Sequence, residues 1–368
     1  MAVMPERPGA KPSLYSVQTL RGGLRKGTTL SLKREELREI YRGMALVRAV
    51  DSRMITLQRQ GRITFYGAAT GQEAAVIGSG YALDAEDWVV PALREGGIAL
   101  LRGFSLADYV NQVVGNGPDI QKGRQMPCHY GHKDVNYVTL SSCIANQLPH
   151  AVGIALAMRL KGKEHIAVGY MGDGATSEGD FHTSMEFAAQ LNAPVLFFCQ
   201  NNQWAISTGV ETQTKAKSMA CKANGYSMPG YRVDGNDVLA VWEVTAHAVA
   251  EIRRTGRPAF IEALTYRIGA HSTSDDPSRY RDESVTQQWK KRDPLQRYKN
   301  TMIKLGHLSE DEAAQLDNEY AELVKAEITR AEAESAPVID DLFTDVYANI
   351  PKHLKRQQAQ LERALRPR

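Results

Sequence analysis

The residues best placed to do chemistry are Gly172-Asp173-Gly174-Ala175-Thr176, which follow an apolar run at 166–171, and Asn201-Asn202, which follow a second apolar run at 194–199. In an open parallel sheet, ligands bind beyond the carboxyl ends of the strands, and both segments fall there. Glycines after a strand let the main chain approach a phosphate, and the N-terminus of the next helix favours an anion. Asp173 is the telling residue, because a carboxylate aimed at a diphosphate repels it unless a cation lies between them. Magnesium combines one or two protein oxygens with substrate phosphates. Asp173, the amide oxygen of Asn202 and the main-chain carbonyl of Trp204 offer three such oxygens. The chemistry implied is magnesium bridging a diphosphate. Either segment by itself reads as an ordinary turn; the pair, one helix apart, points to a site.

Two familiar phosphate motifs do not fit. A GxGxxG fingerprint needs glycine at position 177, which is Ser177, and no GxxxxGK[ST] run exists. A second concentration of reactive side chains spans residues 266–281 and contains Arg267, His271, Ser272, Ser274, Asp275, Asp276, Arg279 and Arg281. It follows another apolar run and is long for a connection, as functional loops are. His271 suits general acid–base work near neutral pH. The plainer reading is a surface loop in which Asp275 pairs with Arg267 and Arg281.

Elements must hold these residues in place. Leu37, Ile40, Tyr41, Met44 and Val47 repeat at helical spacing, with Ser31 as N-cap and Gly61 as stop. Helical patterns at 144–160, 178–191 and 238–254 alternate with strand patterns at 88–90, 166–171, 194–199, 231–233 and 259–264. That alternation predicts an α/β fold, a doubly wound, mostly parallel sheet covered on both faces. After residue 290 the pattern becomes helical, opening on a capping box at Ser309 and Glu312. The organisation expected is an extended, solvated arm over 1–30, an α/β domain over 31–290 and a helical region over 291–368. The basic tail reads as a solvated helix with a narrow stripe of Leu354, Leu361 and Leu365.

Composition excludes several classes. The chain has 368 residues, 45 Lys+Arg against 42 Asp+Glu, a net charge of +3, 43% hydrophobic and 24% charged residues. Balanced charge argues against nucleic-acid binding, and no run of 18 apolar residues predicts a membrane span. Cys128, Cys143, Cys199 and Cys221 form no CxxC pair or zinc spacing. Free thiols without an export signal point to the cytoplasm. The basic N-terminal stretch, which includes Arg7 and Lys11 and also Pro5, Pro8 and Pro12, is like a transit peptide in charge alone, leaving the mitochondrial matrix as the second reading.

The GDG sequence, 26 residues and then Asn-Asn form the thiamine diphosphate signature. Together with Gly123-Arg124-Gln125-Met126-Pro127, Ser141-Ser142-Cys143-Ile144-Ala145, Ala205-Ile206-Ser207-Thr208 and the His271–Arg281 loop, the chain resembles the alpha subunit of the decarboxylating component of 2-oxo acid dehydrogenase complexes. The likeness runs from about residue 31 to the C-terminus and is nearest the branched-chain member. It implies that Asp173, Asn202 and Trp204 hold magnesium, and that Gly172, Gly174, Ala175 and Arg94 contact the diphosphate. By the same resemblance, Ser142 and Ile144 border the aminopyrimidine and thiazolium, and His271 is the catalytic histidine. Ser141, Cys143, Asn146 and Gln147 match a potassium-binding loop. The resemblance further implies a beta subunit, an assembly of two alpha and two beta chains, and a lipoyl-bearing acyltransferase component. The beta subunit would supply the carboxylate that activates the aminopyrimidine.

The chain departs from the branched-chain pattern at Ala92-Leu93, where Gln-Tyr is usual, at Gln200, where Arg is usual, and at Trp204, where Tyr is usual. The first two put cofactor contacts in doubt. Ser272 matches a serine phosphorylated in mitochondrial relatives, and Asp282 stands at the second such position. Pyruvate or acetoin is the alternative substrate. A nicotinamide-dependent oxidoreductase and a non-catalytic subunit with a decayed site are the alternatives from other classes; Asp173 counts against the first, and the retained Asp173, Asn202, His271 and Arg94 against the second.

Overall fold

The computed structural model describes residues 13–365. Pro5, Arg7, Pro8, Lys11 and Pro12 of the expected arm, and residues 366–368 of the tail, lie outside the described residues. In chain order the elements are α1 (Arg34–Arg59), α2 (Glu73–Tyr81), β1 (Trp88–Val90), α3 (Gly96–Leu101), α4 (Leu106–Val114), α5 (Gln147–Leu160), β2 (Ala167–Gly172), α6 (Gly179–Leu191) and β3 (Val195–Asn201). The short hairpin β4 (Trp204–Ala205) and β5 (Thr208–Gly209) leads into α7 (Val210–Gln213), then β6 (Gly230–Asp234), α8 (Val238–Thr255) and β7 (Ala259–Leu264). Helices α9 (Glu283–Lys290), α10 (Pro294–Lys304), α11 (Glu310–Ala333) and α12 (Lys352–Leu365) follow.

Strands β1, β2, β3, β7 and β6 lie side by side in that order, and every neighbouring pair is parallel. Successive side chains of a strand point to opposite faces, so a strand covered twice must be apolar throughout. Val168, Tyr170, Leu196, Phe198 and Ile261 enter a core shared with α1, α2 and α8. Ala167, Met171, Phe197, Cys199 and Phe260 enter a second core with α5 and α6. Helix α2 is buried along its whole length apart from Tyr81, as its almost uncharged sequence requires. The doubly wound architecture read from the sequence is therefore present.

Several boundaries differ from the sequence reading. Helix α1 starts at Arg34, with Lys33 rather than Ser31 at the cap. The Glu36 carboxylate reaches back to the Lys33 N–H at 2.7 Å and takes over the capping. Helix α5 starts at Gln147, not at 144, because Ala145 adopts a φ of +71° that no right-handed helix accommodates. The described part of the arm is solvated only in part, with Leu14, Leu20, Arg21, Arg25 and Lys26 exposed and a stretch near its start docked on the domain. Tyr15, Val17 and Gln18 are buried, and Asp237 accepts the main-chain N–H groups of Val17 and Gln18 at 2.8 and 2.6 Å. Tyr15 also bridges Val233 at the β6 edge of the sheet. The capping box at Ser309 and Glu312 forms as read, and α12 has no buried residue.

The consequence for the site is positional. Strands β2, β3 and β7 are neighbours, with Gly172 in register with Gln200 and Asn201 with Leu264. The segments that start at Asp173, Asn202 and Thr265 therefore leave the same sheet edge side by side.

Candidate active site

Asp173 opens a 3-10 turn, Asp173–Ser177, rather than an open glycine loop. It is 1% exposed. Its Oδ2 accepts from Gln213 Nε2 at 2.9 Å, whereas its Oδ1 is buried with no partner. Burial pushes the carboxyl up to about 6, against the opposing pull of Gln213 and Arg267. A buried ionised oxygen without a partner is costly, and a cation is the group that would satisfy it. The turn sits hard against the hairpin: a Cβ on Gly174 would lie 2.6 Å from the Ala205 Cβ, so glycine is required there. Gly172 ends β2 with open space beside it, and Ala175 is buried beneath the turn. Lys222 staples the turn, donating to the Thr176 hydroxyl at 2.8 Å and its carbonyl at 3.1 Å.

Asn202 continues from β3 and is buried. Its Nδ2 donates to Gln72 at 3.1 Å, and its Oδ1 accepts from the Trp204 N–H at 3.2 Å. The Trp204 carbonyl accepts from Arg267 Nη1 at 3.2 Å, and the Ile206 carbonyl from Nη2 at 2.6 Å. Gln203 and Ile206 hold φ values of +70° and +54°. For a β-branched residue that is a genuine outlier, and such backbone concentrates where function over-determines it. Among the described residues no group of three or more His, Cys, Asp or Glu side chains is arranged to hold a metal. A cation here would rest on one carboxylate, one amide oxygen and one main-chain oxygen, the donor set that suits magnesium beside phosphates. The residues present fit the group.

His271 stands on the connection after β7. Its N–H donates to Asp275 Oδ2 at 2.7 Å, and the same oxygen accepts from the Tyr280 hydroxyl at 2.5 Å. Arg267 Nη2 donates to the Tyr280 hydroxyl at 2.7 Å. Arg281 donates to the carbonyls of Arg267 and Ile268 at 2.6 and 2.7 Å. The direct pairing of Asp275 with two arginines expected from sequence is therefore corrected: Tyr280 mediates, and Arg281 binds main chain. Burial, Arg94 and Arg267 together push the His271 imidazole down to about 4, with Asp275 opposing, so the ring is neutral in neutral solution. Arg94, 7% exposed, donates to the Ala68 carbonyl and, at 2.8 Å, to the His271 carbonyl.

The loop over 141–147, the third segment singled out in the sequence, is tied to β2 through Gln147 and to His129 through Ser142. Ser141 Oγ accepts from the Cys143 N–H at 3.3 Å and from Asn146 Nδ2 at 3.1 Å. Asn146 Oδ1 is buried without a partner, an acceptor that a monovalent cation would suit. Gln147 instead uses its amide to donate to the Tyr170 carbonyl at 2.8 Å. Ile144 is 54% exposed, and Cys143 is an exposed thiol. Ser142 Oγ lies 2.5 Å from His129 Nε2, and His129 Nδ1 lies 3.1 Å from the Pro127 carbonyl. A carbonyl only accepts, so in the neutral ring Nδ1 carries the proton and Nε2 accepts from Ser142.

The two departures noted in the sequence are turned away from this constellation. Gln200 donates to the buried Glu95 carboxylate, whose protonation burial pushes up to about 7. Leu93 packs against Gly67. Sequence reasoning missed Gln213, Tyr280, Lys222 and His129. Only His129 carried a usable signal, lying two residues beyond the Gly123–Pro127 motif.

Comparison with known proteins gives the family of the chain. The family model described as "Dehydrogenase E1 component" matches residues 41–340. The chain is 42% identical to the mitochondrial 2-oxoisovalerate dehydrogenase subunit alpha of Dictyostelium discoideum, over 90% of this chain and 76% of that one. It is also 42% identical to the subunit alpha 2 of Arabidopsis thaliana, over 87% and 68%, and 40% identical to the Homo sapiens subunit alpha, over 91% and 75%. With its GDG turn, its Asn-Asn pair and its histidine loop at one sheet edge, the chain belongs to the dehydrogenase E1 component family.

Proposed function

We propose that this chain is the diphosphate-binding half of a two-chain active site that decarboxylates branched-chain 2-oxo acids with thiamine diphosphate and passes the acyl group to a lipoyl-bearing acyltransferase component. The observation that carries this reading is the buried, unpartnered Oδ1 of Asp173 beside Asn202. Bound thiamine diphosphate supplies the electron sink that loss of CO₂ from a 2-oxo acid requires.

The chain's own residues do the rest. Asp173, Asn202 and the Trp204 carbonyl would hold magnesium, and the main chain at Gly172, Gly174 and Ala175 would contact the diphosphate. Arg94, whose two terminal nitrogens already hold main-chain carbonyls, would add a positive charge and its remaining N–H groups toward the diphosphate. Ser142 directs its hydroxyl proton to His129 and so keeps lone pairs free to accept from the aminopyrimidine. Ile144, 54% exposed, would offer an apolar surface to the rings of the cofactor. His271, whose imidazole is pushed down to about 4 and not poised near neutral pH as its type suggested, stands neutral at working pH and would accept a proton there rather than hold one. Ser141, Cys143, Asn146 and Gln147 form the potassium loop, anchored by the unpartnered oxygen of Asn146.

The assembly we infer is two alpha and two beta chains, the partner supplying the activating carboxylate. Met126, Ile144 and Ile206, each about half exposed on segments that flank the site, are the apolar rim a second chain would cover. The relatives compared are designated mitochondrial, which supports the matrix reading over the cytoplasmic one. Among the described residues no helix is long and apolar enough to cross a membrane. The experiment is decarboxylation of a panel of 2-oxo acids by the chain co-purified with its beta partner. Branched-chain acids should give the highest kcat/KM; faster turnover of pyruvate in that panel, or of acetoin assayed beside it by cleavage rather than decarboxylation, would overturn the substrate assignment.

A further inference from the structure

We infer that Gln213 is the residue that aims Asp173, clamping one carboxylate oxygen so that the other alone faces the cation. The inference rests on the magnesium reading above. Three observations carry it. First, the two carboxylate oxygens are not equivalent: Oδ2 accepts from Gln213 Nε2 at 2.9 Å, and Oδ1 is buried without a partner. A carboxylate has no proton to give, so the nitrogen of the Gln213 amide must face it, and the amide oxygen faces the Ser177 hydroxyl at 3.5 Å. The amide thus spans the 3-10 turn from its first residue to its last.

Second, the clamp comes from the segment that carries the other ligands. Gln213 ends α7, directly after the β4–β5 hairpin, and that hairpin begins at Trp204, two residues past Asn202. Gly174 permits this approach, since a Cβ there would strike Ala205 at 2.6 Å. The Asp173 turn and the 202–213 segment are thereby locked in one arrangement.

Third, the clamp is neutral. A lysine or arginine at 213 would neutralise Asp173 and compete with the cation, and a glutamate would repel it. A glutamine donates a hydrogen bond, fixes the side-chain torsion, leaves the carboxylate its charge and leaves Oδ1 open to a cation. Groups that orient a metal ligand in this way typically change metal affinity by about 10–100-fold when removed.

The test uses the alpha chain assembled with its beta partner and reads magnesium affinity directly, by calorimetric titration of Mg²⁺ in the presence of thiamine diphosphate. Gln213→Leu should weaken Mg²⁺ by about 10–100-fold, while kcat at saturating Mg²⁺ stays near that of the parent. Gln213→Glu, which keeps the side-chain shape, should weaken it at least as much. If both Gln213 variants assemble and bind Mg²⁺ within about twofold of the parent, well short of that range, while Asp173→Ala loses its Mg²⁺ dependence, the clamp is refuted and the metal assignment stands. If Asp173→Ala keeps the parent's Mg²⁺ affinity, the underlying reading fails instead.

Discussion

The guanidinium of Arg94 donates to the main-chain carbonyl of His271 at 2.8 Å, joining residues 177 positions apart in the chain. Its other terminal nitrogen holds the Ala68 carbonyl. The small-residue stretch at 67–71, the arginine proposed to meet a phosphate and the loop of the proposed catalytic histidine are therefore one hydrogen-bonded unit. The cation close to the imidazole also helps to keep it unprotonated. Anchoring an anion at Arg94 and setting the charge of His271 are thus coupled by one side chain.

Arg94→Lys tests that coupling. Lysine keeps a positive charge but not a planar fork that reaches two carbonyls. Thiamine diphosphate affinity of the assembly should fall by about tenfold, the free-energy scale of one charge-assisted hydrogen bond. Hydrogen exchange over residues 271–281 should accelerate in the same variant. Weaker binding with unchanged loop exchange would separate the two roles.

His271→Ala should spare cofactor affinity and lower turnover by about 10²–10⁴, the usual cost of removing a general acid or base. The loss should be larger for acyl transfer to the lipoyl group than for decarboxylation. Stability has its own signature. The folded value, about 4, lies below the ordinary 6.5, so the native state binds fewer protons than the unfolded chain between those pH values. Stability contributed by this residue is therefore lost as pH falls from about 6.5 towards 4. His271→Gln should flatten that part of a thermal-melt pH series.

Tyr280→Phe removes the hydroxyl that connects Arg267 to Asp275. A hydrogen bond to a charged group contributes about 1.5–3 kcal/mol, so the loop should open more readily. The His271 amide, held by Asp275 at 2.7 Å, should exchange faster, and kcat should drop without loss of global stability beyond that range. Unchanged exchange at His271 would show that Arg281 alone holds the loop.

These residues also mark where the sequence was legible. Asp173, Asn202 and His271 could be placed at one sheet edge from sequence because each lies on the segment that leaves an apolar strand, and the carboxyl ends of neighbouring parallel strands lie side by side. That argument needs only periodicity and the parallel rule. Gln213 and Lys222 act across the fold, on Asp173 and Thr176 some forty residues earlier, and Tyr280 lies in a polar loop whose lack of periodicity gives no hint that its hydroxyl joins Asp275 to Arg267. The start of α5 was misplaced for a related reason. Ala145 is a good helix former, and only the tertiary position of the 141–147 loop forces it to a φ of +71°. The arm was read as solvated because its prolines and basic residues are visible, whereas the Asp237 carboxylate that captures Val17 and Gln18 lies more than two hundred residues away.

Asp173 gives a stability prediction of opposite sign to that of His271. Its folded value, about 6, lies above the ordinary 3.8, so burial of the ionised form destabilises the metal-free protein above about pH 6, and the cost disappears below about pH 4. The shift corresponds to at most roughly 3 kcal/mol. Asp173→Asn should raise the melting temperature of the metal-free assembly at pH 7.5 and lose that advantage near pH 4. Added Mg²⁺ with thiamine diphosphate should stabilise the parent and leave the variant unmoved.

The central claim is that Asp173 presents a carboxylate oxygen to a cation that carries a diphosphate. The most direct measurement is a calorimetric titration of thiamine diphosphate into the chain assembled with its beta partner, with and without Mg²⁺, for the parent and for Asp173→Ala. The account predicts saturable binding by the parent only when Mg²⁺ is present, and none by Asp173→Ala at the same concentrations, with both proteins equally folded and assembled. Equal affinity in parent and variant, or parent binding that is indifferent to Mg²⁺, would contradict it.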